Sequence, residues 1–189
     1  MLITGSLVIA ACDEAGEAGN NNTNTAINTS GVLTETYSDE GLTFQYPEGW
    51  VSANMVGQGA AIANTQEVLD IVQTSNTQMP DGAQAVLVLT VAAAGDAGVD
   101  AAGLLQSFSE GSGITDVGEV QEFTAGNRSG VMLLAHDTNT DSDGSFYVFR
   151  LGDSVFGLVT AVSKTGSYDD ALIRQIVETV EYTAPTTGE

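Results

Sequence analysis

The most constraining segment of this sequence is residues 85–92, which are apolar apart from Thr90. A strand that is apolar at consecutive positions is typically buried on both faces, inside a sheet. We therefore predict that helices cover both faces of that sheet. One is predicted over residues 100–108. A closing helix over residues 171–180 has an apolar stripe made of Leu172, Ile173, Ile176, Val177 and Val180.

The other strands are predicted from period-two alternation between clusters of turn residues. They cover residues 32–37, 42–46, 50–53, 59–63, 118–123, 129–136, 145–151 and 154–162, with a short helix over 66–72. Short Gly, Asn and Asp connections favour an antiparallel meander. The closing helix is predicted to begin after Ser167 as its N-cap. The predicted fold class is α+β, with a central antiparallel sheet flanked by helices.

Charge excludes two classes of partner. The chain has 25 acidic and 4 basic residues and a formal net charge of −21. Nucleic acids and anionic lipid surfaces are both bound through basic patches, which so few cations do not supply. Any membrane attachment must therefore come from an apolar or covalent anchor.

The N-terminus offers such an anchor. A short apolar run ends in Ile9-Ala10-Ala11-Cys12, which resembles the lipobox of bacterial lipoproteins. The resemblance implies that residues 1–11 are a signal peptide lacking its usual basic start, and that Cys12 becomes the lipidated first residue. The protein would then be extracytoplasmic, lipid-anchored on the outer face of the cell membrane. The alternative is a free cysteine beside an apolar strand.

Composition also sets the domain boundaries. Residues 12–31 are rich in Asn, Thr, Gly and acids, which predicts a flexible tether. A random coil of about 18 residues spans roughly 20–25 Å. A single domain is predicted over residues 32–183, followed by a disordered tail over 184–189.

The first part of the domain carries a family resemblance. The segment Phe44-Gln-Tyr-Pro-Glu-Gly-Trp50, the apolar strand, the late strand pair and the closing helix resemble the PsbP/Mog1-like domain over roughly residues 37–182. The resemblance implies an α/β/α sandwich in a family of extracytoplasmic accessory proteins and lipoproteins, and it carries over no catalytic residues. The basic surface with which such domains dock on photosystem II is absent, which argues against a photosynthetic role.

Three aromatic residues flank a predicted tight turn at Pro47-Glu48-Gly49. Burial of Phe44, Tyr46 and Trp50 around this turn explains them without any function. The alternative is an aromatic rim that binds a ligand.

Residues for catalysis are few. His136 is the only histidine, and no Gly-x-Ser-x-Gly motif is present. A zinc site from His and Cys is excluded if Cys12 carries lipid. Gly57-Gln58-Gly59 lacks the third glycine of a nucleotide-binding loop. We therefore expect a protein that is not an enzyme.

One acidic segment has the spacing of a metal-binding loop. Asp137, Asn139, Asp141 and Asp143 precede Gly144, and oxygen ligands at alternate positions resemble the start of a calcium loop. Arg150 stands where such a loop places its bidentate glutamate, so a Ca²⁺ site here would be weak. The alternative is a hairpin turn with solvated carboxylates.

Two functional classes remain. The first is a tethered, non-enzymatic module that binds or stabilises an envelope protein complex or a small ligand. The second is a self-associating cell-surface structural subunit, linked by calcium. A long exposed apolar edge, such as residues 154–162, would favour the second.

Overall fold

The computed structural model describes residues 31–55, 59–74, 78–92, 100–111 and 114–184. The predicted signal peptide, Cys12, most of the predicted tether and nearly all of the predicted tail lie outside these residues, as do Gly57 and Gln58. Among the described residues, no helix is long and apolar enough to cross a membrane.

The described residues form a mixed α+β protein that is mostly strand. Its elements are β1 (Leu33–Asp39), β2 (Leu42–Pro47), β3 (Val51–Met55), β4 (Gly59–Ala63), α1 (Gln66–Thr74), β5 (Gln84–Ala92), α2 (Ala101–Gly111), β6 (Asp116–Val117), β7 (Gln121–Ala125), β8 (Arg128–Asp137), β9 (Ser142–Gly152), β10 (Val155–Lys164), α3 (Asp170–Thr179) and β11 (Glu181–Tyr182). Every predicted helix and strand is present; the ends of β4 are as predicted and those of the others are shifted, and the two-residue strands β6 and β11 are additional.

The large sheet has the strand order β3-β4-β5-β10-β9-β8-β6, with β7 also paired to β8. All of its pairs are antiparallel. The apolar strand β5 is interior, as predicted. β10 is also interior, so residues 154–162 do not form the exposed edge that would have favoured self-association. β9 is its hairpin neighbour, but its other neighbour, β5, is distant in the chain, and local sequence does not indicate that pairing.

The small sheet has the order β1-β2-β11. The predicted first hairpin is confirmed, and Glu40 and Gly41 form its tight turn with φ of 46° and 84°. A Cβ on Gly41 would lie 2.0 Å from the Thr183 carbonyl oxygen, and the Thr183 amide donates to the Gly41 carbonyl. Glycine at this turn therefore lets the chain after β11 approach the hairpin.

One face of the large sheet is covered by α1 and α2. Side chains alternate between the two faces along a strand. On this face α1 contributes Val68 and Leu69 to one apolar cluster, and α2 contributes Leu105 to another. The sheet residues in these clusters include Ala61, Ala63, Ala85, Leu133, Phe146, Val148, Phe156 and Leu158.

The opposite face is covered by α3 and the small sheet. Val88 and Tyr147 of the large sheet lie in one cluster with Phe44 of β2 and Ile176 of α3. Helices therefore cover both faces, as predicted, and one face is shared with a second sheet.

The N-cap of α3 corrects the sequence prediction. Asp169, not Ser167, caps the helix, because its carboxylate accepts a hydrogen bond from the Leu172 amide at 3.0 Å. The Ser167 carbonyl is instead an acceptor for the side chain of Gln84.

The aromatic residues around the β2–β3 turn differ in burial, and this difference sets their contribution to stability. Phe44 is fully buried, whereas Trp50 is partly buried at the edge of the same cluster. We expect Phe44→Ala to lower the free energy of unfolding by about 3–5 kcal/mol. Trp50→Ala should cost about half as much. Urea unfolding of the two variants measures this, and a larger loss for Trp50→Ala would contradict the described packing.

Candidate functional site

Polar side chains concentrate where the β8–β9 hairpin turns. β8 ends at Asp137 and β9 begins at Ser142, with Asp137 paired to Ser142 and His136 to Asp143. The predicted eight-residue loop is therefore a short turn over residues 138–141. Asp143 and Gly144 belong to β9, because continued backbone pairing keeps them in the strand.

Asp137 organises this turn. Its Oδ1 accepts from the Asn139 amide at 3.0 Å, and its Oδ2 accepts from the Thr140 hydroxyl at 2.8 Å. The hydrogen bond from Thr140, followed by that from Asn139, lowers the pKa of Asp137. This is an Asx turn, the alternative to calcium that the sequence left open.

Asp141 joins the turn to the end of β10. Its carboxylate lies 2.6 Å from the Lys164 Nζ, and the hydrogen bond from this ammonium group lowers the pKa of Asp141. The backbone φ of Asp141 is 51°, a left-handed conformation that Asp tolerates better than most residues.

Asp143 lies on the face of the sheet opposite to Asp137, and its side chain pairs with that of His136. The His136 Nδ1 is 2.9 Å from Asp143 Oδ1, and the Gly166 amide donates to Asp143 Oδ2 at 3.1 Å. Ser145, two residues further along β9, is fully buried, and its hydroxyl has no hydrogen-bond partner in the described structure. His136 and Asp143 therefore form a dyad that fixes a cross-strand contact.

The four predicted calcium ligands are thus distributed among separate contacts. Asp137 holds the turn, Asp141 binds Lys164 and Asp143 binds His136, while the Asn139 side chain is exposed. In the described part of the chain, no three His, Cys, Asp or Glu side chains are close enough to hold a metal ion. These four side chains do not converge on one point, although they are evenly spaced in sequence. Asp137 pairs with Ser142, so Asp143 lies on the opposite face of the sheet from Asp137.

A small cavity lies beside this turn, on the face covered by α1 and α2. Its volume is about 170 Å³. Ala135, Phe146 and Val162 form apolar lining, with Asp137, Thr140 and Ser142 at the polar end. Most sites for small molecules enclose about 300–1,000 Å³. This cavity is therefore suited to a side chain or a few waters more than to a whole ligand.

A second polar cluster, which the sequence analysis does not predict, joins α3 to the sheet. Asp170 accepts from the Tyr147 hydroxyl at 2.6 Å, from Arg174 Nε at 2.6 Å and from the Tyr168 hydroxyl at 3.4 Å. Burial raises the pKa of Tyr147 and of Tyr168.

The charge of Asp170 is stabilised in this cluster. Partial burial acts to raise its pKa, but the hydrogen bonds from Tyr147 and Arg174 outweigh burial, so the pKa lies below its ordinary value of 3.8. Because Asp170 opens α3, the helix dipole also favours its ionised form.

All four cations of the chain are engaged in internal contacts. Lys164 and Arg174 bind Asp141 and Asp170, the Arg128 guanidinium donates to the Val180 carbonyl, and Arg150 donates to the Asp153 carbonyl at 3.2 Å. Arg150 also lies 4.8 Å from the centre of the Phe156 ring. The described surface is therefore anionic, and it favours neutral or basic partners.

Comparison with known proteins gives a fold and no function. No family model matches the sequence, and no curated protein matches it. A protein from Bacteroides thetaiotaomicron, whose crystal structure was determined at 1.50 Å, is similar with a TM-score of 0.52 and 10% sequence identity. The similarity covers 80% of this chain and 49% of the Bacteroides chain, so this chain spans about half of that protein.

The calcium hypothesis is tested by thermal unfolding of the full chain. Because each carboxylate in the 137–143 segment has its own partner, we expect millimolar Ca²⁺ to change the melting temperature no more than Mg²⁺ at equal concentration. A rise specific to Ca²⁺ that is lost in Asp141→Ala/Asp143→Ala would overturn this expectation and restore the calcium site.

The Asp170 cluster predicts a pH-dependent stability. Asp170→Asn should lower the free energy of unfolding at pH 7 by about 1–2 kcal/mol, because it removes the charge from two short hydrogen bonds. Because the pKa of Asp170 is lower in the folded than in the unfolded state, its ionised carboxylate stabilises the fold at pH values above the unfolded-state pKa. This stabilisation is lost as the pH falls from about 4 through the folded-state pKa.

Urea unfolding at pH 7 and pH 3 checks this sign. The difference in free energy of unfolding between wild type and Asp170→Asn should be smaller at pH 3 than at pH 7. The exposed control Asp153→Asn should have a free energy of unfolding close to that of wild type at both pH values. A difference of equal size at the two pH values would show that the charge of Asp170 is unimportant.

Proposed function

We propose that this protein is an extracytoplasmic lipoprotein, held on the outer face of the cell membrane by lipid on Cys12. Its folded domain is a non-enzymatic module that binds or stabilises a protein complex of the envelope. The observation that carries the proposal is the lipobox Ile9-Ala10-Ala11-Cys12, followed by a polar stretch that precedes β1 at Leu33.

Binding is favoured over catalysis because the polar groups of the domain make structural contacts. His136 and Asp143 fix a cross-strand contact, and Asp170 fixes α3 to the sheet. Groups for acid–base chemistry at a reacting centre would be expected to face a cleft of substrate size. The cavity beside the β8–β9 turn, of about 170 Å³, is smaller than that, which argues against catalysis by His136 and Asp143.

The proposal extends to the fold family. We infer an α/β/α sandwich of the PsbP/Mog1-like type, whose members include extracytoplasmic accessory proteins. The arrangement of α1 and α2 on one face and α3 on the other supports this inference. The segment from Phe44 to Trp50 supports it from the sequence.

Self-association as a calcium-linked structural subunit is the weaker candidate. The strand whose exposure would have favoured it, β10, is paired on both sides by β5 and β9. The carboxylates on which calcium linkage depended are held by other side chains.

Membrane fractionation of cells that express the full chain tests the anchor. Wild type should partition into the membrane fraction, and Cys12→Ser should move to the soluble fraction. Mass spectrometry of the purified wild type should find a chain that begins at Cys12 and carries lipid. Asn20→Ser, a comparable change in the tether, serves as the control.

Retention of Cys12→Ser in the membrane fraction, or a mature chain that still contains residues 1–11, would contradict the lipoprotein proposal. Circular dichroism of Cys12→Ser against wild type checks that the folded domain is unchanged.

A further inference from the structure

An exposed apolar patch lies at the edge of the large sheet formed by β6 and β7. Val117 and Val120 are exposed by 39% and 45%; Val117 lies on β6, and Val120 lies in the segment between β6 and β7. The other exposed large hydrophobic residues among those described are Leu134, which lies on the opposite face of the sheet because Val117 pairs with Ala135, and Val32, which precedes β1. Contiguous exposed apolar groups on a soluble domain mark interaction sites.

An open groove runs along this patch. Its volume is about 380 Å³, and it lies between α2 and the β6–β7 edge. Val117, Val120 and Leu133 provide its apolar lining, and Gln106 and Glu110 of α2 form the opposite side. The groove is thus larger than the cavity beside the β8–β9 turn and has an apolar floor.

The edge is also interrupted. β6 pairs with β8 for two residues, the Gly118 amide donates to the Leu134 carbonyl at 2.8 Å, and β7 resumes the pairing at Gln121. A Cβ on Gly118 would lie 2.9 Å from the Leu134 carbonyl oxygen. In the described sheet β6 and β7 have β8 on one side only, so their outer backbone faces outward.

One acidic residue, Glu110, lines the groove and accepts a hydrogen bond from the Gln106 side chain at 2.9 Å, and three more lie along the β6–β7 edge. Glu110, Asp116, Glu119 and Glu122 are exposed, and the three salt bridges among the described residues involve other acids. The nearest cation along the chain, Arg128, is directed to the Val180 carbonyl at the end of α3. The groove therefore has apolar side chains in its lining and exposed acids along the β6–β7 edge beside it.

We infer that this groove docks an extended segment of a partner protein in which apolar residues alternate with lysine or arginine. The inference rests on the proposed function and deepens it, since it names the surface and the partner's chemistry. Apolar side chains of the segment cover Val117 and Val120, basic side chains face Glu110 and Glu122, and the segment's backbone runs along the interrupted edge.

A second copy of this chain is a poorer occupant than a basic partner. Each copy carries a formal charge of −21, so two acidic rims would meet at a shared edge. Like charges placed together at an interface cost several kcal/mol.

Fluorescence anisotropy on the full chain in nanodiscs of phosphatidylcholine tests the inference, with empty nanodiscs as blank. The probe is a labelled peptide of alternating lysine and valine, and a peptide of alternating glutamate and valine is its counterpart. The lysine peptide should bind, with a Kd that rises with salt, and the glutamate peptide should not.

Three variants locate the binding. Val117→Ser/Val120→Ser should raise the Kd about tenfold, and Glu110→Gln/Glu122→Gln should raise it about fivefold and weaken its salt dependence. The control Val32→Ser/Glu35→Gln makes matched changes on the small sheet and should leave the Kd within about twofold. All six positions are partly or fully exposed, and circular dichroism checks the fold.

An equal rise in Kd for all three variants would overturn the inference, because the lysine peptide would then be attracted by the overall charge of the protein. A dimer in light scattering that Val117→Ser/Val120→Ser abolishes would also overturn it, by making this edge a self-interface. Membrane retention of Cys12→Ser is a separate result, which contradicts the lipoprotein anchor and leaves the groove measurement unchanged.

Discussion

Burial of β9 and β10 on both faces is the constraint on which the rest of this structure depends. Tyr147 and Phe149 are buried toward α3 and the small sheet, while Phe146 and Val148 are buried toward α2. Phe123 of β7 contacts the Tyr147 ring edge-on, with centroids 5.0 Å apart. A strand apolar on both sides needs cover on both sides, so the helices and the second sheet follow from this central pair.

The small number of basic residues affects both the contacts between elements and the charge of the surface. Each of the four cations fixes a contact between elements or turns, and Arg128 and Arg174 both act at α3. Because they are used internally, the acids on the β6–β7 edge remain available to a partner. The stability of the α3 joint and the polarity of the proposed docking groove therefore have one common origin, a chain with 25 acids and 4 bases.

Much of the fold was predictable, and the errors have identifiable causes. Strand and helix positions follow from local periodicity, so the predicted elements are present. The cap at Asp169 was misplaced by two residues because Ser and Asp are both good caps, and tertiary contacts decided between them. The 137–144 segment was read as a loop because its residues are polar, although cross-strand pairing carries Asp143 and Gly144 into β9.

By itself, the sequence determined the apolar segments, the acidic balance, the turn chemistry and the N-terminal motif, because these depend on residues adjacent in the chain. Only the tertiary structure decided that β10 is interior, that Asp170 meets Tyr147, that the acids of the hairpin have separate partners and that Val117 and Val120 share an exposed groove with α2. Such pairings join residues far apart in sequence, and local pattern carries no information about which distant strand will supply the partner.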